Sequence, residues 1–218
     1  MSSFPNSPKL IRGGLVLVDP SSGSIRRVIT LQYNPDSVSR TLQVQGIGDQ
    51  GDRSEALRLK GPAVETIKLE AELDATDQLE FPDQNANTVQ FGLHPQIAVL
   101  ESLLNPSVAD LIAQNTLTQA GTLEIAPAEA PLTLFVWSAQ RVVAVRVTEF
   151  SVTEEAFDPS LNPMRAKVSL GLRVLNVDDL PPGHKGYTIF LGYLQRKELL
   201  ASLAQGPGIA ALGIGGIP

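Results

Sequence analysis

VETIKLEAEL, residues Val64 to Leu73, decides the fold class. Ile67, Leu69, Ala71 and Leu73 alternate with Lys68, Glu70 and Glu72. A period of two is that of a strand with one face on a core and the other in water. MRAKVSLGLRV, Met164 to Val174, repeats the pattern. Met164, Ala166, Val168, Leu170, Leu172 and Val174 fall on one face, and Arg165, Lys167, Ser169 and Arg173 on the other. Strands with one solvated face belong to antiparallel sheets.

Working outward, Leu10–Asp19 and Arg26–Tyr33 read as a hairpin about the turn at Pro20 to Gly23. Val38–Gln45, Leu132–Trp137 and Val142–Thr153 read as further strands. Helices are fewer. Pro95–Leu104 carries Ile97, Leu100, Leu103 and Leu104 at helical spacing, and Val108–Gln114 extends it after a break at Pro106. Gly186–Ala204 is a second amphipathic helix. The expected architecture is mainly β with minor α: an antiparallel barrel or sandwich, a helical insertion, and a helix near the C-terminus. Residues 1–9 are expected to be a flexible lead, 10–204 one β domain, and 205–218 a glycine-rich tail.

Composition narrows the function. The chain has 218 residues and a net charge of −6, which disfavours a nucleic-acid partner and a polybasic membrane anchor. With no cysteine there is no thiol nucleophile, disulfide framework or thiolate metal site. No segment reaches the roughly 20 apolar residues of a spanning helix. Direct insertion into a membrane is not expected.

Enzyme motifs fail on context. Gly46-Ile-Gly48-Asp49-Gln-Gly51 matches G-x-G-x-x-G, but a dinucleotide cradle needs a following helix inside a parallel βαβ unit. Only Asp52 to Lys60 lies before Gly61-Pro62, and an alternating strand comes next. A surface loop between strands is the better reading. His94 and His184 sit singly in turns, suited to solvent or to capping a helix. No G-x-S-x-G elbow occurs. Asp74, Asp77, Glu80 and Asp83 recur every third residue, without the spacing or glycine of a calcium loop, and read as a solvated acidic loop. Trp137 reads as a core anchor. No catalytic residue, cofactor or metal is expected.

Five segments in order resemble a known family: LQYNPDSVSRTL (Leu31–Leu42), LRLKGPAVETIKLEAELDATDQLE (Leu57–Glu80), GLHPQIAVLESLLNP (Gly92–Pro106), the long Leu132–Leu175 stretch, and HKGYTIFLGYLQRKELLA (His184–Ala201). Together they are similar to the tube-protein domain of contractile injection systems, which are phage-tail-like machines. The resemblance spans roughly Leu10 to Ala204. It implies a tail-tube β-barrel assembling as a hexameric ring at the baseplate, joining the spike or hub to the inner tube. It implies assembly in the cytoplasm into a particle that is then released or anchored at a membrane. Many members carry a C-terminal LysM module. Only QGPGIAALGIGGIP follows Ala204, so a peptidoglycan-binding role is not expected of this stretch.

On this reading the partners are further copies of the chain, the spike or hub, the inner tube protein and other baseplate proteins. The Gln43–Pro62 stretch becomes an inter-ring docking loop, with Gly46, Gly48 and Gly51 supple and Asp49, Asp52, Arg53 and Glu55 solvated. It and the Gly206–Pro218 tail are expected to order on assembly. Lys68, Glu70, Glu72, Arg165, Lys167 and Arg173 become candidates for a lumen or inter-subunit face. Two alternatives stay open: an inner-tube subunit of the same machine, and a ligand-binding β-sandwich. A single Trp and 5% aromatic residues weaken the second.

Overall fold

The structure, a computed structural model, describes residues 10–20, 22–46, 58–119, 130–204, 206 and 209–213. Seven strands carry the chain: β1 (Gly14–Val18), β2 (Ile25–Thr30), β3 (Val38–Gln43), β4 (Val64–Asp74), β5 (Leu132–Ser138), β6 (Arg141–Phe157) and β7 (Pro163–Val174). They form one sheet in the order β2-β1-β5-β6-β7-β4-β3, and every pairing is antiparallel. The expected mainly-β antiparallel architecture is what the chain adopts.

Alternation does in β4 and β7 what it predicts. Ile67, Leu69, Ala71 and Leu73 are buried, and Ala166, Val168, Leu170, Leu172 and Val174 join them in one cluster. Leu15, Phe135, Val143 and Val145 complete its floor. Each Val, Leu, Ile or Phe among them contributes about 1.5–3 kcal/mol when removed from water. A smaller cluster of Val18, Leu132 and Ala144, with Val16, Leu134 and Leu175 against it, is distinct from the first.

Among the described residues there are five α-helices: α1 (Thr76–Leu79), α2 (Ala86–Phe91), α3 (His94–Glu101), α4 (Val108–Gln119) and α5 (Lys185–Leu203). Ile97 and Leu100 of α3 and Phe190 and Tyr193 of α5 belong to the main cluster. His184 caps α5, its Nδ1 accepting from the Gly186 N–H at 3.0 Å, which is the capping role expected of it. The acidic stretch expected to be a loop instead folds into α1 and a 3-10 turn at Pro82–Gln84. The proposed extension of α3 is a separate helix, started by Ser107, whose hydroxyl accepts from the Asp110 N–H.

Two glycines show how tightly the sheet is fitted. A Cβ on Gly13 would lie 2.6 Å from the Trp137 ring, which stacks on Phe135 with centroids 6.0 Å apart. A Cβ on Gly171 would lie 2.8 Å from that of Glu149, where β6 carries a bulge between Val147 and Glu149.

The sheet curls. β2 and β3 are its two ends, yet only Leu31 to Ser37 joins them. A flat seven-stranded sheet would hold its ends about 29 Å apart, the full reach of so short a link. The link is also stapled at both sides. The Gln32 amide donates to Asp74 O at 2.8 Å and accepts from Asp74 N at 2.9 Å. The Asn34 amide accepts from Gly13 N at 2.9 Å and donates to Ile11 O at 2.8 Å. Each side chain offers one donor and one acceptor, as a peptide group does, and takes the place of a strand partner. LQYNPDS is thus the closure of the curl.

Candidate assembly interface

Register fixes which side chains share a face. Asp74 pairs with Arg165, Glu72 with Lys167, Glu70 with Ser169, Lys68 with Gly171 and Thr66 with Arg173. Across β6 the same face continues through Arg146, Glu149, Ser151, Thr153 and Glu155. Across β3 it continues through Ser39 and Thr41. All six residues singled out from the sequence, Lys68, Glu70, Glu72, Arg165, Lys167 and Arg173, therefore lie on one polar face of the four strands β3-β4-β7-β6.

That face is balanced. Lys68, Arg146, Arg165, Lys167 and Arg173 oppose Glu70, Glu72, Asp74, Glu149 and Glu155, five of each sign. Three ion pairs cross strands: Lys68 to Glu149 at 2.7 Å, Arg165 to Asp74 at 3.2 Å and Lys167 to Glu155 at 3.9 Å. Apart from the half-buried Asp74 their members are well exposed, so each pair contributes little to stability. Burial would raise the Asp74 pKa, but hydrogen bonds from Thr76 and the charge of Arg165 hold it below its ordinary value. Arg173 turns to Asp179 at 2.8 Å.

Both sides of this four-stranded unit are open. Among the described residues β3 pairs only with β4. β6 pairs with β5 only from Arg141 to Val145, so Arg146 to Phe157 has β7 on one side and no strand on the other among the described residues. β3 and β6 are separated by three antiparallel steps and run in opposite directions. At the far end of β6, the Asp158 carboxylate accepts from Ser160 N at 2.7 Å and Asn162 N at 2.8 Å, closing the turn into β7. The turn holds Leu161 at a φ of 65° with 76% of its surface exposed.

Gly46 forms a bridge to Leu59, and Lys60 N donates to Gln45 O at 2.9 Å. The glycine stretch thus connects two antiparallel neighbours, the opposite of the parallel crossover a dinucleotide cradle needs. Gly48, Asp49, Gly51, Asp52, Arg53 and Glu55 lie outside the described residues. So does most of the tail; Ile209–Leu212 forms a 3-10 turn. Among the described residues no three metal-ligating side chains cluster, and no helix is long and apolar enough to cross a membrane.

Sequence reading missed a buried charge. Glu65, 3% exposed, accepts from Arg40 Nε at 2.6 Å, Lys197 Nζ at 2.9 Å and Tyr193 OH at 3.1 Å. Arg40 also donates to Tyr193 OH at 2.9 Å, and Lys197 lies 4.1 Å from the Tyr193 ring centroid. The cluster fastens α5 to β3 and β4. Burial would raise the Glu65 pKa, but the hydrogen bonds and charges of Arg40 and Lys197 outweigh it and hold the carboxyl below its ordinary range. The signal was in the parity: Glu65 stands on the same face as Ile67 and Leu69.

No protein-family model matches the chain, and no curated protein matches it. Among solved structures it is similar to a chain from the C6-symmetric tail of an empty GTA particle. The identity is 11% and the TM-score 0.28, covering 75% of this chain and 90% of that one. It is similar also to a chain from the virion of a native gene transfer agent (GTA) particle, at 10% identity and TM-score 0.27, covering 74% and 90%. Likenesses this slight carry no weight here; the fold rests on the strand order and register of the chain itself.

Proposed function

We propose that the chain is a non-enzymatic ring subunit of a contractile injection system. It forms a hexamer at the baseplate that joins the spike or hub to the inner tube. One observation carries the ring: a four-stranded unit with an open edge on each side, the two edges running in opposite directions. Rotation about a ring axis preserves strand direction, so β3 of one copy meets β6 of the next antiparallel. Repetition closes a continuous barrel with no loose edge along this unit, removing the aggregation hazard that two open edges present. The polar face of β3-β4-β7-β6 then lines the lumen, and its balanced charges present no net sign to what passes. The baseplate position rests on the family resemblance of the five sequence segments.

The test is assembly. Purified chain, viewed by negative stain and sized by sedimentation, should form six-membered rings, and particles made without it should lack the joint between spike and tube. Cysteines replacing Lys68 and Arg173 should react with a bulky maleimide in the free chain and be shielded in particles. A stable monomer at high concentration, or intact particles without the chain, would overturn the proposal.

A further inference from the structure

The chain has a third open edge that this ring leaves unused. Among the described residues β2 pairs with β1 alone, and all but one of its residues are exposed. Leu31 N donates to Gly13 O at 2.9 Å, so Leu31 faces β1. Backbone groups alternate along an antiparallel strand, so Ile29 faces β1 too, while Val28 and Thr30 turn their N–H and C=O outward. No partner for those groups occurs among the described residues.

A groove of about 860 Å3 runs beside this edge. Five consecutive residues, Val28 to Gln32, line it. Val28 to Thr30 are the β2 residues among them; Ala71 and Leu73 of β4 also line the groove, so it runs between the β2 edge and the core face of β4. Its far wall is the helical insertion, where Thr88 donates to the Gln78 amide oxygen and Gln96 Nε2 donates to the same oxygen at 3.2 Å. Gln96 Oε1 is left buried with no donor. Arg12, exposed, stands at the rim.

We propose that this groove receives an extended segment of a different protein of the particle, added to β2 as an eighth strand. A row of outward peptide groups is complementary to another extended backbone and to little else. The occupant is not a second copy. The copies' own open edges, β3 and the second half of β6, already satisfy each other in the ring, leaving β2 free on every subunit. The segment pairs with Val28 and Thr30 through its main chain and turns a short hydroxyl or amide side chain toward the Gln78–Thr88–Gln96 wall, supplying the donor that Gln96 lacks. One ring of six such sites would hold six copies of the partner segment, one per subunit.

The inference rests on the ring reading, and hydrogen exchange separates the two. Amide exchange is measured on the free chain, on rings of the chain alone, and on complete particles. The ring reading predicts that β3 and residues 146–157 slow in rings. The present inference predicts that Val28 and Thr30 exchange rapidly in the free chain and in rings, and slow at least tenfold only in particles. Slowing already in rings of the chain alone would assign the edge to a second copy and overturn the proposal, as would rapid exchange in all three. Val28→Pro deletes an outward N–H without touching the β1 ladder. It should leave rings intact and lose the slowing at Thr30. Val28→Lys, which keeps the N–H, should retain that slowing and serves if the proline variant fails to fold.

Discussion

Glu65 offers the sharpest test of how the helix is held to the sheet. Glu65→Ala leaves Arg40 and Lys197 facing each other beneath Tyr193 with no anion between them. Breaking one partner out of a buried ion pair costs about 3–5 kcal/mol. Arg40 and Lys197 keep 26% and 34% of their side-chain surface exposed and can be rehydrated, which places the cost near the lower end, about 3 kcal/mol. Urea slopes of about 1–3 kcal/mol per molar turn that into a midpoint lowered by at least about 1 M. Glu65→Gln keeps the shape and loses the charge-assisted part of the bonds, about 1.5–3 kcal/mol.

The two variants also differ from the parent in pH dependence. The folded carboxyl has a lowered pKa, so the unfolded chain binds the proton more tightly. The contribution of Glu65 is fully present above its ordinary value of 4.5 and is lost as pH falls through the lower folded value. The gap between parent and Glu65→Gln should therefore be wide at pH 7 and narrow steadily below about pH 4.5. Urea midpoints of the unassembled chain at both pH values measure it. A gap that is absent at pH 7, or one that does not narrow in acid, would refute the clamp.

Three further outcomes are expected. Gly13→Ala should cost about 1–3 kcal/mol through overpacking and shift the fluorescence of Trp137, the single tryptophan, because the new Cβ lies within 2.6 Å of its ring. Leu161→Asn should raise stability by up to about 1 kcal/mol in thermal melts, since asparagine tolerates the left-handed backbone and the leucine it replaces is exposed. Deleting Gly46–Arg53 should leave the urea midpoint of the subunit within about 0.5 kcal/mol of the parent, yet impair ring stacking in particles; an unfolded subunit or normal stacking would show that the stretch is not a docking loop.

Much of the sheet could be read from the sequence because β4 and β7 alternate without interruption, and their inward residues are the core. The charged face was legible for the same reason. The short helices α1 and α2 were not, since four and six residues give no helical period to detect. The Glu65 clamp needs Arg40, Tyr193 and Lys197, up to 132 positions away, and only packing brings them together. The groove beside β2 is likewise invisible locally: its two walls are a strand near residue 30 and a helical insertion near residue 90. Alternation states which side of a strand is wet, and says nothing of which neighbour it lacks.

Gln32 has a mechanical consequence. Neighbouring strands of the sheet are joined by ladders of main-chain bonds that must be undone together. The junction between the end of β2 and the end of β4 is one side-chain amide, and releasing its two bonds costs about 2 kcal/mol. The curl can therefore be widened or tightened along this line while every strand keeps its register. A subunit built this way can adjust its radius to the diameter a neighbouring layer imposes, with a glutamine serving as the buckle.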